Sequence, residues 1–134
     1  MNLKIRKPDW CDTMSVNAKH ISNEGYYELS GTFKDKEEIV FEWPISLKVH
    51  RLNEKVAFTY GPCVLAFDSA KSDRDIKAPV WVSDDPEYRL LDTENEELVR
   101  VICDTADGEI LLTDYQSCGK NWLQEKNLIT VWLD

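Results

Sequence analysis

Apolar and polar residues alternate with a period of two along most of this 134-residue chain. Residues 3–6 read Leu-Lys-Ile-Arg, and residues 45–50 read Ile-Ser-Leu-Lys-Val-His. Successive side chains of a β-strand point to opposite faces of the sheet, so this pattern predicts strands with one buried face. Because no stretch follows the 3.6-residue period of a helix convincingly, the sequence predicts an all-β fold.

Turn residues divide the alternating pattern into short strands. Asp107-Gly108 between two apolar runs is a strong hairpin signal, and the continuously apolar residues 63–67 are typical of a strand buried on both faces. The predicted strands span residues 3–7, 27–31, 39–43, 45–49, 56–60, 63–67, 98–104, 109–115 and 128–133. Short strands at this spacing favour an antiparallel, jelly-roll-like β-sandwich of two sheets with eight or nine strands.

Residues 68–97 differ from the rest because they are rich in Asp, Glu and Lys, with one short strand at most, at Val80-Trp81-Val82. A segment of this length with so little structure is usually functional, or covers another surface. The length of the chain fits one domain. We therefore predict a single β-sandwich domain over residues 1–134, with a loop-rich segment at 68–97.

The core of this sandwich is expected to hold large apolar side chains from the predicted strands. They are Phe41, Phe58, Val64, Leu65 and Trp132, with Trp43 also expected inside. Cys63 and Cys103 lie in apolar runs and are predicted to be buried, small apolar residues. Cys11 and Cys118 complete a set of four cysteines without a CxxC pair, so three disulfide pairings remain open.

Charge and hydropathy exclude two classes of partner. The net charge of −9 argues against nucleic-acid binding, which needs clustered Lys and Arg. No run of 18 apolar residues could span a membrane. The first eight residues lack the apolar region of a signal peptide, so we expect a cytoplasmic protein if Met1 is the native start, and the compartment is otherwise open.

No set of residues in the sequence has the pattern of a catalytic or metal site. Adjacent carboxylates such as Glu96-Glu97 point to opposite faces on a strand and are more often solvated in a loop. His20 and His50 have neither each other nor a cysteine at zinc-ligand spacing. We therefore predict no catalytic residue, no metal ligands and no cofactor.

Aromatic residues near loops are the candidates for binding. They are Trp81, Trp122 and Tyr115, which could be exposed and could either stack on sugar rings or cover a neighbouring domain. Large aromatic side chains dominate the cores of protein interfaces, so covering a domain is the favoured interpretation.

Five segments in the same order resemble glycoside hydrolase family 127, the β-L-arabinofuranosidase-like family. Residues 3–10 are similar to its "L-x-I-R-x-P-x-W" stretch, and residues 56–66 to "V-A-F-x-Y-G-P-L-V-L-A". The others are residues 15–18, residues 25–45, and residues 114–133 with Trp122. Ala18 and Lys36 depart from the pattern at positions where turn glycines are common, which puts the tightness of two turns in doubt.

The resemblance implies the β-sandwich region that follows the catalytic barrel in that family. The family's zinc-bound cysteine nucleophile belongs to the barrel, and no motif here matches it. The implied function is therefore non-catalytic, supporting or docking a barrel domain or polypeptide of a glycoside-hydrolase-like protein. An independent carbohydrate-binding module that holds a glycan is the alternative, and a small enzyme on a sandwich or barrel is the third possibility.

The start of the chain suggests a further contact. In the family, further strands precede the "R-x-P-x-W" stretch, so a chain that begins at Met1 is expected to leave the strand at residues 3–7 without a neighbour on one side. Unpaired strand edges offer hydrogen-bonding groups to other chains. We therefore expect residues 1–10 to contribute to a homodimer or to a surface that docks the barrel.

Overall fold

The computed structural model describes residues 1–72, 79–94, 96–120 and 128–134. These residues form antiparallel β-structure with a single short 3₁₀ turn, Tyr115–Ser117, which confirms the all-β prediction. The described part of the chain contains no helix with the length and apolar character needed to cross a membrane. The chain divides into two compact units, Met1–Ile45 and Ser46–Asp134, while the single sandwich domain over residues 1–134 stays a prediction.

The first unit contains five short strands in two sheets. They are β1 (Asn2–Arg6), β2 (Ser15–Val16), β3 (Ile21–Asn23), β4 (Tyr26–Ser30) and β5 (Phe41–Glu42). The sheet order is β1-β4-β3, and β2 pairs with β5. Glu24 and Gly25 both adopt positive φ between β3 and β4, as a two-residue hairpin turn requires. Cys11, Met14 and Leu29 are buried in this unit.

Strand β1 lies at the edge of its sheet. It pairs with β4 and has no second neighbour among the strands that the structure describes. Lys4 on β1 forms a 2.8 Å ion pair with Glu28 on β4, so one of the positive charges on β1 is paired within the sheet. The open edge agrees with the expectation for residues 3–7, and the homodimer or docking contact through residues 1–10 stays a prediction.

The second unit is built on one antiparallel sheet of seven described strands. They are β6 (Leu47–Leu52), β7 (Lys55–Tyr60), β8 (Cys63–Asp68), β9 (Tyr88–Leu90), β10 (Arg100–Thr105), β11 (Gly108–Asp114) and β12 (Ile129–Thr130). The order is β6-β7-β8-β11-β10-β9, and β12 pairs with the end of β8. The predicted hairpin is confirmed, because Thr105 pairs with Gly108 and the strands run back from there.

This sheet curls around its own core. Phe58, Leu65, Val101 and Ile110 are buried together on one face, although their strands are spread across the sheet. The rings of Tyr60 on β7 and Tyr88 on β9 lie 6.2 Å apart, which requires the sheet to bend back on itself across the three strands between them. The second unit is thus a half-barrel with an apolar interior.

Residues 79–87 cross the open side of the half-barrel. The guanidinium of Arg51 on β6 donates to the Val82 carbonyl (2.6 Å), and the Ala106 amide at the β10–β11 turn donates to the Trp81 carbonyl (2.8 Å). Val80 is buried in the core. The segment is therefore irregular in secondary structure but fixed by both sides of the sheet.

The strand pattern differs from the prediction where strands are short. We predicted eight or nine strands in two sheets, whereas the described residues form twelve strands in three sheets. Five of these strands, β2, β3, β5, β9 and β12, have only two or three residues. A period of two cannot be read from so few positions. Residues 80–82, where the sequence allowed one short strand at most, form no strand, and β9 lies at Tyr88–Leu90.

Burial corrects part of the predicted core. Phe58 and Leu65 are buried as expected, and Phe41 is half-buried. Val64 and Trp132, however, are 44% and 39% exposed, so their predicted burial is wrong. Each directly precedes a buried residue, Leu65 and Leu133, so membership of an apolar run does not by itself bury a side chain.

Trp43, which we also expected inside, is exposed. Its ring stacks on Phe41 at a centroid distance of 6.3 Å. The two side chains thus meet each other although neither is fully enclosed, so an apolar run alone did not determine burial here.

Candidate functional site

Trp81 is the most exposed tryptophan among the described residues, with 68% of its surface accessible. Its two neighbours explain why: Val80 is buried in the core of the half-barrel and Val82 packs against that core. Residues on either side of a position on an extended chain point the opposite way, so the inward packing of both valines directs the indole outward. Its backbone carbonyl accepts a 2.8 Å hydrogen bond from Ala106, which fixes its position.

Two depressions share Trp81 as a wall. One, of about 500 Å³, is lined mainly by polar side chains, including Arg51, Asn53 and Lys55. The other, of about 370 Å³, lies toward the β10–β11 turn and includes Asp104 and Glu87. Charged side chains line most of the larger depression, whereas polar and apolar side chains share the smaller one.

Ion pairs hold the charged side chains of this surface. Nε of Arg51 lies 2.9 Å from Oδ1 of Asp84, and Nζ of Lys55 lies 2.6 Å from Oδ1 of Asp134. All four side chains are largely exposed, so these pairs add little stability. Their main effect is to fix donors and acceptors around Trp81.

Tyr115 lies on a different surface. It is exposed, begins the 3₁₀ turn after β11, and borders a depression of about 400 Å³ whose other lining residues include Pro62, Val64 and Leu98. Val64 and Leu98 are themselves exposed. This surface, which we call the Tyr115 face, is an uncovered apolar patch.

Asp114, beside Tyr115, is buried and holds three backbone segments together. Its Oδ1 accepts from the amides of Leu98 (2.7 Å) and Val99 (3.2 Å), and its Oδ2 accepts from the amide of Ser117 (3.1 Å). A carboxylate whose oxygens are used in this way is not free to act as a general acid or base. Asp114 is therefore a structural residue.

A second buried group joins Lys71, Glu97 and Ser117. Nζ of Lys71 lies 2.7 Å from Oε1 of Glu97 and 3.2 Å from Oγ of Ser117, an arrangement that superficially resembles a serine–lysine nucleophile pair. Ser117 is buried, however, and its hydroxyl donates to the Asp114 carbonyl at 2.9 Å. Because Lys71 is neutralised by a carboxylate and the hydroxyl is inaccessible, the cluster has no catalytic geometry.

The pKa of Glu97 reflects this pairing. Burial disfavours its charged form, but the hydrogen bond from Lys71, the backbone amide of Glu94 and the positive charges of Lys71 and Arg100 together outweigh burial and lower the pKa below its ordinary value. Glu97 is thus held as a carboxylate. Sequence reasoning missed this role, since nothing in Glu96-Glu97 distinguishes the buried residue from the exposed one.

The structure does not bring the predicted binding residues together. The Trp81 carbonyl bonds to the turn before β11, whereas Tyr115 follows the end of β11, so the two aromatics lie at opposite ends of that strand. Trp122 lies outside the described residues. The candidate site is therefore two separate surfaces, one polar around Trp81 and one apolar around Tyr115.

Among the described residues, the cysteines and histidines form neither a catalytic arrangement nor a metal site. All four cysteines are free, and burial raises the pKa of Cys103 to about 11. Cys63, expected to be buried, is half-buried instead. His50 is exposed and hydrogen-bonded to Thr59. Across the described ranges, no three His, Cys, Asp or Glu side chains are placed to hold a metal ion.

Solved structures of glycoside hydrolases share the fold of this chain. One, described as a glycoside hydrolase, matches 98% of the chain with a TM-score of 0.76 and 17% identity. A family 127 β-arabinofuranosidase matches 98% with a TM-score of 0.71 and 17% identity. A family 127 β-L-arabinofuranosidase from Geobacillus stearothermophilus T6 matches 99% with a TM-score of 0.74 and 14% identity.

The match covers only part of each of these proteins. The chain spans 27%, 27% and 26% of their lengths, respectively. No family model matches the sequence, and no curated protein matches it. The resemblance to family 127 noted in the sequence motifs is confirmed at the level of the fold, as a region about a quarter the length of such enzymes.

Proposed function

We propose that this chain is a non-catalytic β-domain of a glycoside-hydrolase-like protein of the β-L-arabinofuranosidase type, and that it supports or docks a catalytic barrel. The observation that carries the proposal is the structural match of 98% of the chain to 27% of a glycoside hydrolase. Most of such a protein lies outside the matched region and has room for a separate catalytic domain. A two-sheet, jelly-roll-like sandwich is part of the proposal.

The chemistry of the buried carboxylates among the described residues supports a non-catalytic role. A glycosidase needs two carboxyl groups facing each other across a cleft, roughly 5 to 10 Å apart. Asp114 and Glu97 are buried and bound by backbone amides and Lys71. Asp68, also buried, accepts from the amide of Ala70 at 3.0 Å. These carboxylates hold the fold together and do not face a substrate.

The Tyr115 face is the surface that suits a barrel. Tyr115, Val64 and Leu98 present apolar area around one depression. Aromatic and aliphatic side chains of this kind form the centres of protein interfaces, whereas exposed charges occupy their rims. In the proposed assembly these three side chains would be covered by the barrel.

We expect no hydrolysis of aryl β-L-arabinofuranosides by the purified chain, with or without added zinc. We expect this because the proposed domain has no nucleophile and no pair of carboxyl groups that face each other across a cleft. Release of the aryl alcohol is followed against a heat-unfolded sample and against an active β-L-arabinofuranosidase as positive control. Turnover above the uncatalysed rate that co-purifies with the chain through successive columns would overturn the non-catalytic role.

Binding to a barrel tests the docking role directly. The chain is titrated, by calorimetry, with each catalytic-barrel polypeptide of this enzyme type encoded in the same genome. One is expected to form a 1:1 complex, and Tyr115→Ala is expected to weaken it about 10-fold or more, as truncation of a central interface aromatic does. Where the gene joins the chain to a barrel, the same variant is made in the full-length protein and its melting temperature is measured.

Trp81→Ala is the matched control, because it truncates an exposed aromatic on the other surface. It should leave the barrel affinity unchanged. The docking role would be refuted if no such barrel formed a complex with the chain, or if Tyr115→Ala left the melting temperature of the full-length protein unchanged.

A further inference from the structure

Beyond the support of a barrel, we propose that the surface around Trp81 is a binding site for a neutral oligosaccharide. We call it the Trp81 platform, made of the indole and the two depressions that share it. It is separate from the Tyr115 face and needs no catalytic group. Three features of the described residues carry the proposal: the fixed backbone of the exposed Trp81, the shared depressions and the charge of their walls.

The backbone that carries the indole is held in place. Val80 is buried in the core on one side of it, Val82 packs against the core on the other, and the Trp81 carbonyl is bonded to Ala106. Val80 is also fixed by its amide, which donates to the Asp134 carbonyl at 2.5 Å. A binding group that is already rigid loses little conformational entropy when it binds. An exposed tryptophan fixed in this way is suited to recognition.

The shape of the platform indicates a ligand longer than one sugar ring. Trp81 borders one depression of about 500 Å³ and another of about 370 Å³. A monosaccharide stacked on the indole can occupy only one of them. A chain of two or more rings can stack on the indole and place hydroxyl groups in both.

Charge indicates that the ligand is neutral. Arg51 and Lys55 are each engaged by a carboxylate, Asp84 and Asp134. Glu54, Glu87 and Asp104 add further negative charge to the walls. The platform and the chain as a whole, at net charge −9, therefore repel a polyanion such as a polyuronate. Sugar hydroxyls donate to carboxylates and accept from Arg, Lys and Asn, while ring C–H groups cover the indole.

The polar walls favour a sugar over a protein segment. The larger depression is lined by Arg51, Asn53, Glu54, Lys55 and Asp134, with Pro79 as the only apolar side chain besides Trp81 among the described lining residues. A protein anchor is normally surrounded by apolar contacts that exclude water. The Tyr115 face has that character, whereas charged side chains line most of the larger depression of the Trp81 platform.

Calorimetry and affinity electrophoresis with defined probes test the platform. The probes are neutral arabino-, xylo- and cello-oligosaccharides of one to six units, with an oligogalacturonide as the anionic probe. We expect at least one neutral series to bind, with affinity rising from the monosaccharide to the longer members, and no binding of the oligogalacturonide. Failure of every neutral series to bind at millimolar concentration would overturn the proposal.

Variants assign the binding to the indole. Trp81→Ala is expected to weaken binding about 10-fold or more, because it removes the stacking surface at the centre of the site. Trp81→Phe, which keeps a flat ring, should retain part of the affinity, and Tyr115→Ala should retain all of it. Melting temperatures confirm that each variant is folded.

The barrel titration separates this inference from the proposed function. Loss of barrel binding in Trp81→Ala, with sugar binding unchanged, would show that the platform is a protein interface and would refute the inference. If only Tyr115→Ala loses barrel binding, the Tyr115 face is the barrel interface, and the sugar titrations alone decide whether the Trp81 platform binds an oligosaccharide.

Discussion

Replacing Phe58 by alanine is expected to lower the free energy of unfolding by about 3 to 5 kcal/mol, the range found when a buried aromatic side chain is removed from a core. Phe58 is 1% exposed and lies in the core cluster of the half-barrel between strands β6 and β8. Its backbone pairs with Val49 on one side and Leu65 on the other. Because neighbours on three strands pack around it, they cannot move in to fill the space.

Urea denaturation followed by circular dichroism measures the loss. Val64→Ala is the control, since Val64 lies on the adjacent strand but is 44% exposed, and it should cost no more than about 0.5 kcal/mol, as surface substitutions usually do. Similar small losses for both variants would place Phe58 outside the core. A large loss at Val64 would show that the outer face of β8 is covered in solution.

Breaking the buried ion pair is the second change with a large expected effect. Lys71→Ala leaves the Glu97 carboxylate, 4% exposed, without its main counter-charge. Removal of one partner from a buried pair typically costs about 3 to 5 kcal/mol, because the remaining charge stays desolvated. Lys71 retains some contact with solvent, so we expect a loss near the lower end of that range.

Lys120→Ala is the matched control for Lys71→Ala. Lys120 pairs with Glu96, the sequence neighbour of Glu97, but both side chains are largely exposed. An exposed pair contributes roughly 0 to 1 kcal/mol, and the melting temperature should hardly change. Equal losses for the two lysine variants would show that burial does not decide the contribution of the pair.

The same pair predicts how stability depends on pH. The pKa of Glu97 is lowered in the folded protein, with burial opposing the shift and Lys71 the main cause of it. A group with a depressed pKa contributes stability that is present above its unfolded pKa and is lost as the pH falls through its folded pKa. The variant's Glu97 carboxyl, still buried but without Lys71, takes up a proton more readily as the pH falls. The difference in melting temperature between the native chain and Lys71→Ala should therefore be full near neutral pH and shrink as the pH falls toward and below about 4.3. A constant difference down to about pH 2 would contradict this linkage.

Local sequence was sufficient for the longer strands and for some turns. The alternation at residues 45–50 and 56–60 located β6 and β7, and Asp107-Gly108 located the hairpin between β10 and β11. Glycine at position 25 allowed the positive φ of the β3–β4 turn. These features depend on residues that are neighbours along the chain, so their signals are present in the sequence itself.

The candidate binding surfaces were only partly predictable. Trp81 and Tyr115 were named from the sequence as candidates for binding, and both are exposed, while their role in binding stays a prediction. The sequence did not indicate that one lies among polar walls and the other on an apolar face. That distinction depends on Arg51 and Val64, which approach them from other strands.

The all-β class and the long strands follow from the sequence, because each depends on side-chain alternation over a few consecutive residues. Three outcomes come from the fold instead: Val64 is exposed beside buried Leu65, Trp81 stands out between a buried and a half-buried valine, and Glu97 meets a lysine 26 positions away. These outcomes depend on how the sheet curls, which brings together residues that are distant in sequence. No local pattern encodes those distances, so they became visible only in the folded chain.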